Sequence, residues 1–431
     1  MEDVILESFA YGGETFGRLE DHRAVFVPFA LPGERIRIRL MEEKRGFARG
    51  ELVEILETSP DRIEPRCPHF FSLTPTPLPA PYGSASLGER QGVRVCGGCH
   101  YQHIPYKLQI QAKAEILKDQ LIRIGKIENP PVQPAIPSPN PWNYRNHVQF
   151  HLTSDGKLGF QAPRSHEVVP IRECHLPEAT IDQVWPLLDL ESIPGLDRLS
   201  LRVGAGEDIL LLLESSDPLP VELEVDLPIS VVYQGPQGAF ILAGDDHLYM
   251  DVAGREFRVS AGSFFQVNTA MAEKMVEHIL ENLEIPGNAT LIDAYCGVGL
   301  FSAFLAPRVE RLIGIESSAS ACGDFITNLD EFENVELYQA AVEEVIPSLE
   351  VTPDILLVDP PRAGLGRRTL DGILSLGPNQ IVYISCDPAT LSRDARRMIE
   401  GGYHLRQITP FDLFPQTYHI ESISFWSKFD F

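Results

Sequence analysis

Cys386 is the residue of this chain best placed for nucleophilic chemistry. It stands in IVYISCDPAT, where IVYIS reads as a buried strand that delivers the cysteine to its carboxyl end. Asp387 then reads as a helix N-cap and Pro388 as the first helical residue of PATLSRDARRMIE. A thiol in that place sits over free backbone N–H groups and the positive end of a helix dipole, and both favour the thiolate. Arg393, Arg396 and Arg397 follow on the same helix, with solvent-facing roles open to them. A lone cysteine at a strand end is most often a small buried side chain. The neighbouring motifs reverse that reading.

The first of these is Asp293-Ala-Tyr-Cys-Gly297-Val-Gly299, which follows the strand LIDAY. Gly297 and Gly299 let the backbone turn tightly beside a ligand. Ser302 stands where a pyrophosphate-binding fingerprint would place its third glycine, so the full dinucleotide pattern is missing. Glu316 closes the next strand, at the spacing of an acid that grips ribose hydroxyls. Strand, glycine turn, helix and acid together imply a nucleoside and favour S-adenosylmethionine; the alternative is a plain strand-to-helix turn with a solvated glutamate. Asp359-Pro360-Pro361-Arg362 ends a later strand at the same sheet edge. Two prolines stiffen that loop and fix the direction of Asp359, an acid able to accept from a planar base N–H. Glu421, in PQTYHIES, would on its own be read as a surface glutamate.

A second constellation is made of cysteines. Cys96 and Cys99, in VCGGCHYQH, form a glycine-spaced turn that points two sulfurs at one centre. Cys67 precedes them in EPRCPHF and Cys174 follows in IRECHL. Four thiolates suit zinc or an iron–sulfur cluster. One pair and two singletons lean toward a cluster, while His69, His100, His103 and His175 complicate the ligand count. A reduced CxxC with unrelated single cysteines is the plain alternative.

The elements that must position these groups follow from periodicity. Residues 4–58 read as short strands punctuated by Gly12-Gly13, Leu31-Pro32-Gly33 and Gly46. Arg35, Ile36, Arg37, Ile38 and Arg39 alternate, giving one packed and one positive face. A small antiparallel barrel that carries oligonucleotides is expected, with a merely solvated strand face as the alternative. The segment 59–91, with Pro75, Pro77, Pro79 and Pro81, reads as a surface loop. A helix over 104–124 ends at Gly125, and an antiparallel sheet layer follows over 144–257. Arg145, His147 and Arg164 there have the types for phosphate contacts, or for ordinary surface roles. From Ser263 onward strands and helices alternate, which predicts a doubly wound parallel sheet closed by an antiparallel strand pair.

Composition bounds the function. With 431 residues, 44% apolar and 23% charged, the chain has room for two or three folded domains. Neither a signal peptide nor a membrane span is expected, and the odd count of 7 cysteines points to thiols or metal ligands in a cytoplasmic protein rather than to disulfides. A net charge of −25 opposes non-specific attraction to nucleic acid, so any RNA contact needs a local basic surface.

The motifs DAYCGVGLFS, VDPPRAGL, YISCDPATLSRD and FDLFPQTYHIES resemble the signatures of the RNA 5-methyluridine methyltransferase family, especially its bacterial 23S rRNA branch. The resemblance runs along nearly the whole chain. It implies an α/β fold: a Rossmann-like doubly wound methyltransferase domain over 263–431, preceded by a small all-β TRAM (OB-like) barrel over 1–60 and a β-rich central domain over 61–262. It further implies that Cys386 is the nucleophile and Glu421 the general base. Gln266, Tyr295, Gly297, Gly299, Glu316 and Asp359 would line the methyl-donor and uracil sites. Cys67, Cys96, Cys99 and Cys174 would hold a 4Fe-4S cluster, and the substrate would be a uridine of RNA, foremost 23S rRNA. Three departures stand out: a long segment between Cys67 and Cys96, Leu300 in place of a polar residue, and His147 in place of a lysine. A transfer RNA target, a base amino-methyltransferase with an incidental Cys386, a non-catalytic RNA-binding factor and a redox-sensing cluster stay open as alternatives. Amino-group methylation would need no cysteine, so Cys386 with Glu421 separates the first two classes.

Overall fold

The computed structural model of the protein describes residues 1–71, 95–188, 195–217 and 227–428. The prolines at 75, 77, 79 and 81 lie outside the described residues.

The N-terminal strands close into a barrel: β1 (Glu2–Ala10), β2 (Glu14–Arg18), β3 (Ala24–Pro28), β4 (Arg35–Glu43) and β5 (Phe47–Glu57), in the order β1-β2-β3-β5-β4. Alternation places Val4, Leu6, Val25, Val27, Ile36 and Ile38 inside. The arginines of β4 face outward, yet that face is not an open positive one. Arg35 pairs with Glu57 at 2.8 Å, Arg37 with Asp3 at 2.9 Å and Glu54 at 3.0 Å, and Arg39 with Glu51 at 3.2 Å. The register explains the difference from the sequence expectation: acidic residues of β1 and β5 stand directly across from each arginine.

Helix α1 (Tyr106–Arg123) follows, then a seven-stranded sheet. Its strands are β6 (His147–Leu152), β7 (Leu158–Gln161), β8 (Val168–Pro170), β9 (Leu196–Val203), β10 (Ile209–Ser215), β11 (Ser230–Gly235) and β12 (Gly238–Ala243), with the short helix α2 (Ala179–Val184) after β8. The order is β12-β11-β10-β9-β6-β7-β8. All described pairs are antiparallel except β10 with β11, which run parallel, a departure from the antiparallel layer expected. The chain from Ser215 to Ser230 is long enough for a crossover in place of a tight hairpin.

A hairpin of β13 (His247–Val252) and β14 (Arg255–Ser260) leads into the last sheet. Leu248, Met250, Phe257 and Val259 of this hairpin pack in one core with Met271, Met275 and Phe301. The sheet comprises β15 (Thr290–Ala294), β16 (Arg311–Glu316), β17 (Val335–Gln339), β18 (Ile355–Val358), β19 (Gln380–Ser385), β20 (His404–Phe411) and β21 (Glu421–Ser427), ordered β17-β16-β15-β18-β19-β21-β20. The first five strands are parallel and β21 runs antiparallel to both neighbours.

Residues of one strand alternate between two cores. Ile355, Leu357, Val382 and Ile384 meet α3 (Thr269–Asn282), α4 (Leu300–Leu305) and α5 (Ala319–Asn328) on one face. Leu356, Val358, Ile381 and Tyr383 meet α1, α6 (Val342–Val345), α7 (Arg367–Leu376) and α8 (Pro388–Glu400) on the other. Such strands, covered on both faces, read as continuous apolar runs. The strand order reverses between β15 and β18, which opens a crevice at the carboxyl ends of the parallel strands.

Candidate active site

A cleft of about 1050 Å³ occupies that crevice. Its lining includes Gln266, Tyr295, Gly297, Glu316, Asp359, Cys386 and Glu421. Seven of the residues singled out for catalysis and cofactor binding therefore share one space. Gly299 is not in that lining. It has φ +89°, and a Cβ there would lie 2.4 Å from Leu329 Cδ1 and 2.9 Å from Phe325 Cδ2. Close packing of α4 against α5 is the reason for that glycine. Leu300 is likewise a core residue.

The glycine turn is built tightly. Tyr295 holds a left-handed φ of 66°, strained for an aromatic residue, while its N–H donates to Ile315 O at 2.9 Å. Glu316 accepts from Gly297 N at 3.1 Å through one oxygen and from Ser317 N and Ser318 N at 2.7 Å through the other. The acid is thus fixed at the turn before any ligand arrives, an arrangement suited to gripping vicinal hydroxyls.

Cys386 follows β19, and Asp387 caps α8 as expected: its Oδ1 accepts from Ala389 N and Thr390 N, both at 2.9 Å. The thiolate does not follow from that position. Burial pushes the Cys386 thiol up to about 12, with the negative charges of Glu421, Asp359 and Asp387 adding to it and Arg362 opposing them. Three nearby carboxylates outweigh the half-charge of a helix terminus. Burial, and then Asp359, raise Glu421 to about 8. Asp359 rises to about 7, through burial and the charge of Asp293. His419, also in the lining, is driven down to about 2 by burial and by Arg362, so it stays neutral. Arg362 and His419 lay within quoted motifs but carried no sequence-level signal of their roles. Phe264 at the cleft is a similar case, since a 69% exposed aromatic reads as chance until its neighbours are known.

Glu421 starts β21 after a loop that is pinned from several sides. Lys113 Nζ donates to Asp412 Oδ1 and, at 2.9 Å, to Phe414 O. Gln109 bonds both the backbone N–H and the side chain of Gln416. Tyr144 Oη donates to Pro415 O at 3.0 Å, and His100 N and Tyr101 N donate to Gln416 O at 2.8 and 3.0 Å.

The four cysteines form the second site. Cys67, Cys96, Cys99 and Cys174 are free and line one cavity of about 70 Å³, together with His69, His175 and Arg145. Burial raises every one of them, Cys96 to about 11 and Cys174 to about 12; neighbouring sulfurs push Cys96, Cys99 and Cys174 in the same direction, and Glu173 does so for Cys67. Deprotonated together, four such sulfurs would repel one another, so they could lie side by side as thiolates only around a cationic centre. Among the described residues, no group of three or more His, Cys, Asp or Glu side chains is gathered tightly enough to hold a metal ion. His100 and His103 are not in the lining; His103 stacks on Phe70 at 5.6 Å. Arg145 belongs to this cavity rather than to a phosphate surface, and Arg164 pairs with Glu14. Of the two roles open to it, Arg164 shows the ordinary surface one, with its side chain 59% exposed. His147 is held neutral, down at about 3, by burial and by Arg202.

Comparison with known proteins bears on the family and the fold. The tRNA (Uracil-5-)-methyltransferase family matches residues 227–429, and the TRAM domain matches residues 2–53. A chain named as an uncharacterized RNA methyltransferase of Thermosynechococcus vestitus is 32% identical, covering 98% of this chain and 97% of the relative. Another so named, from Streptomyces avermitilis, is 33% identical over 98% and 97%. The solved structure of the Pyrococcus abyssi tRNA (uracil-54, C5)-methyltransferase, in complex with S-adenosyl-L-homocysteine, superposes with a TM-score of 0.71 at 23% identity, covering 99% of this chain and 100% of that one, and speaks for the fold. Among the described residues no helix is long and apolar enough to cross a membrane. With full-length relatives above 30% identity, the protein belongs to the RNA 5-methyluridine methyltransferase family, enzymes that use S-adenosylmethionine.

Proposed function

We propose that the protein methylates C5 of one uridine in RNA through a covalent Cys386 adduct, with 23S rRNA as the target. The observation that carries this reading is the shared cleft of Cys386, Glu421 and Asp359 beside Gly297 and Glu316. C5 of uracil is a poor nucleophile. A thiolate that adds to C6 makes the ring an enolate, which takes the methyl from the sulfonium of S-adenosylmethionine and leaves S-adenosylhomocysteine. A carboxylate then removes the C5 proton, the C6–S bond breaks and Cys386 leaves with its electron pair. Glu421 fits the second task and Asp359 the hydrogen bond from uracil N3–H. The thiol proton must first pass out through this carboxylate pair, because Glu421 has to be free to receive the C5 proton. Gln266, Tyr295, Gly297 and Glu316 are the candidates to hold the methyl donor, with Gly299 packing the turn behind them. The base must leave its stack to reach this depth.

Cys67, Cys96, Cys99 and Cys174 are the proposed ligands of a 4Fe-4S cluster, whose chemistry there would be to neutralise four thiolates and tie distant segments together. The division into units over 1–60, 61–262 and 263–431, and a cytoplasmic location beside the RNA substrate, belong to the same proposal. A transfer RNA uridine is the second reading, favoured by the family match over 227–429. Incubating the enzyme with S-adenosylmethionine and either unmodified 23S rRNA or unmodified tRNA, followed by nucleoside mass spectrometry, tests both. 5-Methyluridine in rRNA alone supports the first reading and in tRNA alone the second. Methylated amino groups, or no methylation of either, would overturn the proposal.

A further inference from the structure

The turn between β1 and β2 reaches out of the barrel to the catalytic motif. Tyr11 Oη donates to Asp387 Oδ2 at 2.7 Å, linking residues 376 positions apart. The other oxygen of Asp387 already fixes the first turn of α8. One carboxylate next to Cys386 is therefore held between its own helix and a hydroxyl from another part of the chain. The Tyr11 ring meets Tyr418 edge-on, at 6.0 Å and 85°. Tyr418 in turn lies 4.4 Å from His419 in the cleft wall, just before Glu421. The turn fits closely: a Cβ on Gly13 would lie 3.1 Å from Tyr418 Cδ1 and 3.3 Å from His100 Cβ. Meanwhile the outward arginines of β4 have their charges met by neighbouring strands.

We infer that Tyr11 is a positioning residue for methyl transfer: its hydroxyl orients Asp387, and through it the Cys386 sulfur, while its ring seats Tyr418 and His419 against the cleft. The barrel is then part of the active site, not only a surface for RNA. Asp387 is one of the anions that resist thiolate formation at Cys386. A donated hydrogen bond draws charge away from it, so the hydroxyl also makes the nucleophile easier to ionise.

This inference rests on Cys386 being the nucleophile, and its test keeps the two separable. Tyr11→Phe keeps the ring and removes only the donor. Its kcat for RNA methylation is expected to fall about tenfold or more, as a misplaced reacting atom requires. KM for RNA should stay within about twofold and Tm within a degree or two, since only a half-buried hydroxyl is lost. The kcat–pH profile should move to higher pH. Asp387→Ser still caps α8 but is too short to hold Tyr11; in that background Tyr11→Phe should cause no further loss. The inference is overturned if Tyr11→Phe keeps its kcat, if it raises KM alone, or if its loss of activity merely follows loss of folded protein. Cys386→Ala, assayed in parallel, must be inactive. Methylation by that variant would sink the nucleophile reading itself, whatever Tyr11 does.

Discussion

Burial keeps Cys386 a thiol, and the carboxylates of Glu421, Asp359 and Asp387 outweigh the one cation, Arg362, that would favour its thiolate. Ionisation of the thiol is therefore coupled to Glu421 and Asp359, which sit near 8 and 7. The pair titrates as a unit, and the base form of Glu421 accumulates only as pH rises through about 8. We predict that kcat/KM rises between pH 6 and 9 with an apparent midpoint near 8. A flat profile over that range would remove Glu421 from the role of base. Stability has the opposite slope. The folded value of Glu421, about 8, lies above the ordinary carboxylate value. Its protonated form thus stabilises the fold fully below the unfolded pKa, and this contribution is lost as pH rises through the folded one. Glu421→Gln cannot ionise, so at pH 8.5 it should melt a few degrees above the wild type while losing turnover at the release step. Differential scanning calorimetry at pH 5 and 8.5 checks this: the gap should nearly vanish at pH 5. That Cys386 and Glu421 share a cleft was to be expected from the family resemblance, because the motifs that carry it are contiguous, whereas Glu421 alone reads as a surface residue. The thiol's ionisation was not legible in the sequence, because it depends on carboxylates brought from three separate strand ends.

At the scale of elements, the caps could be read directly. Asp387 and Pro388 open α8 as their types dictate. What could not be read is which polar residues of a helix are buried. Gln109 and Lys113 look like the solvent face of α1, yet both lie at 1% exposure and grip the loop leading to Glu421. Lys113→Met should cost about 3–5 kcal/mol, because it leaves Asp412 buried without its cation. The denaturant midpoint of the variant measures this, and a cost below about 1 kcal/mol would mean the pair is replaceable. Gly299→Ala should be costly for a different reason. Its left-handed backbone and the nearby Leu329 together predict a loss of about 1–3 kcal/mol. Gly297 has open space around its missing Cβ, so its substitution should show mainly backbone strain and weaker binding of S-adenosylmethionine. Unfolding curves and calorimetric titration of the two alanine variants separate packing from binding.

Across the whole molecule, the switch from period-two strands to alternating strands and helices marked the methyltransferase sheet correctly. Periodicity did not say which core the hairpin at His247–Ser260 would join: it packs with α3 and α4, in a core that Leu210 and Val232 of the central sheet also enter. Nor did it reveal that the barrel arginines are matched by acids on adjacent strands, which suits a chain of net charge −25. The cysteine cavity joins segments from Cys67 to Cys174 and, through His100 and Tyr101, the loop before Glu421. Anaerobically purified protein should carry iron and acid-labile sulfide in equal amounts, and stripping them should expose the cavity thiols to alkylation. Zinc alone would contradict the cluster. All scales meet in one bond, from Cys386 Sγ to C6 of a uracil. Glu421→Gln should form that bond but not release it, since the C5 proton has no acceptor. After incubation with S-adenosylmethionine and target RNA, denaturation and nuclease digestion, peptide mass spectrometry should find a methylated uridine nucleotide on Cys386. An unmodified Cys386 peptide, together with methylation by Cys386→Ala, would contradict the covalent route.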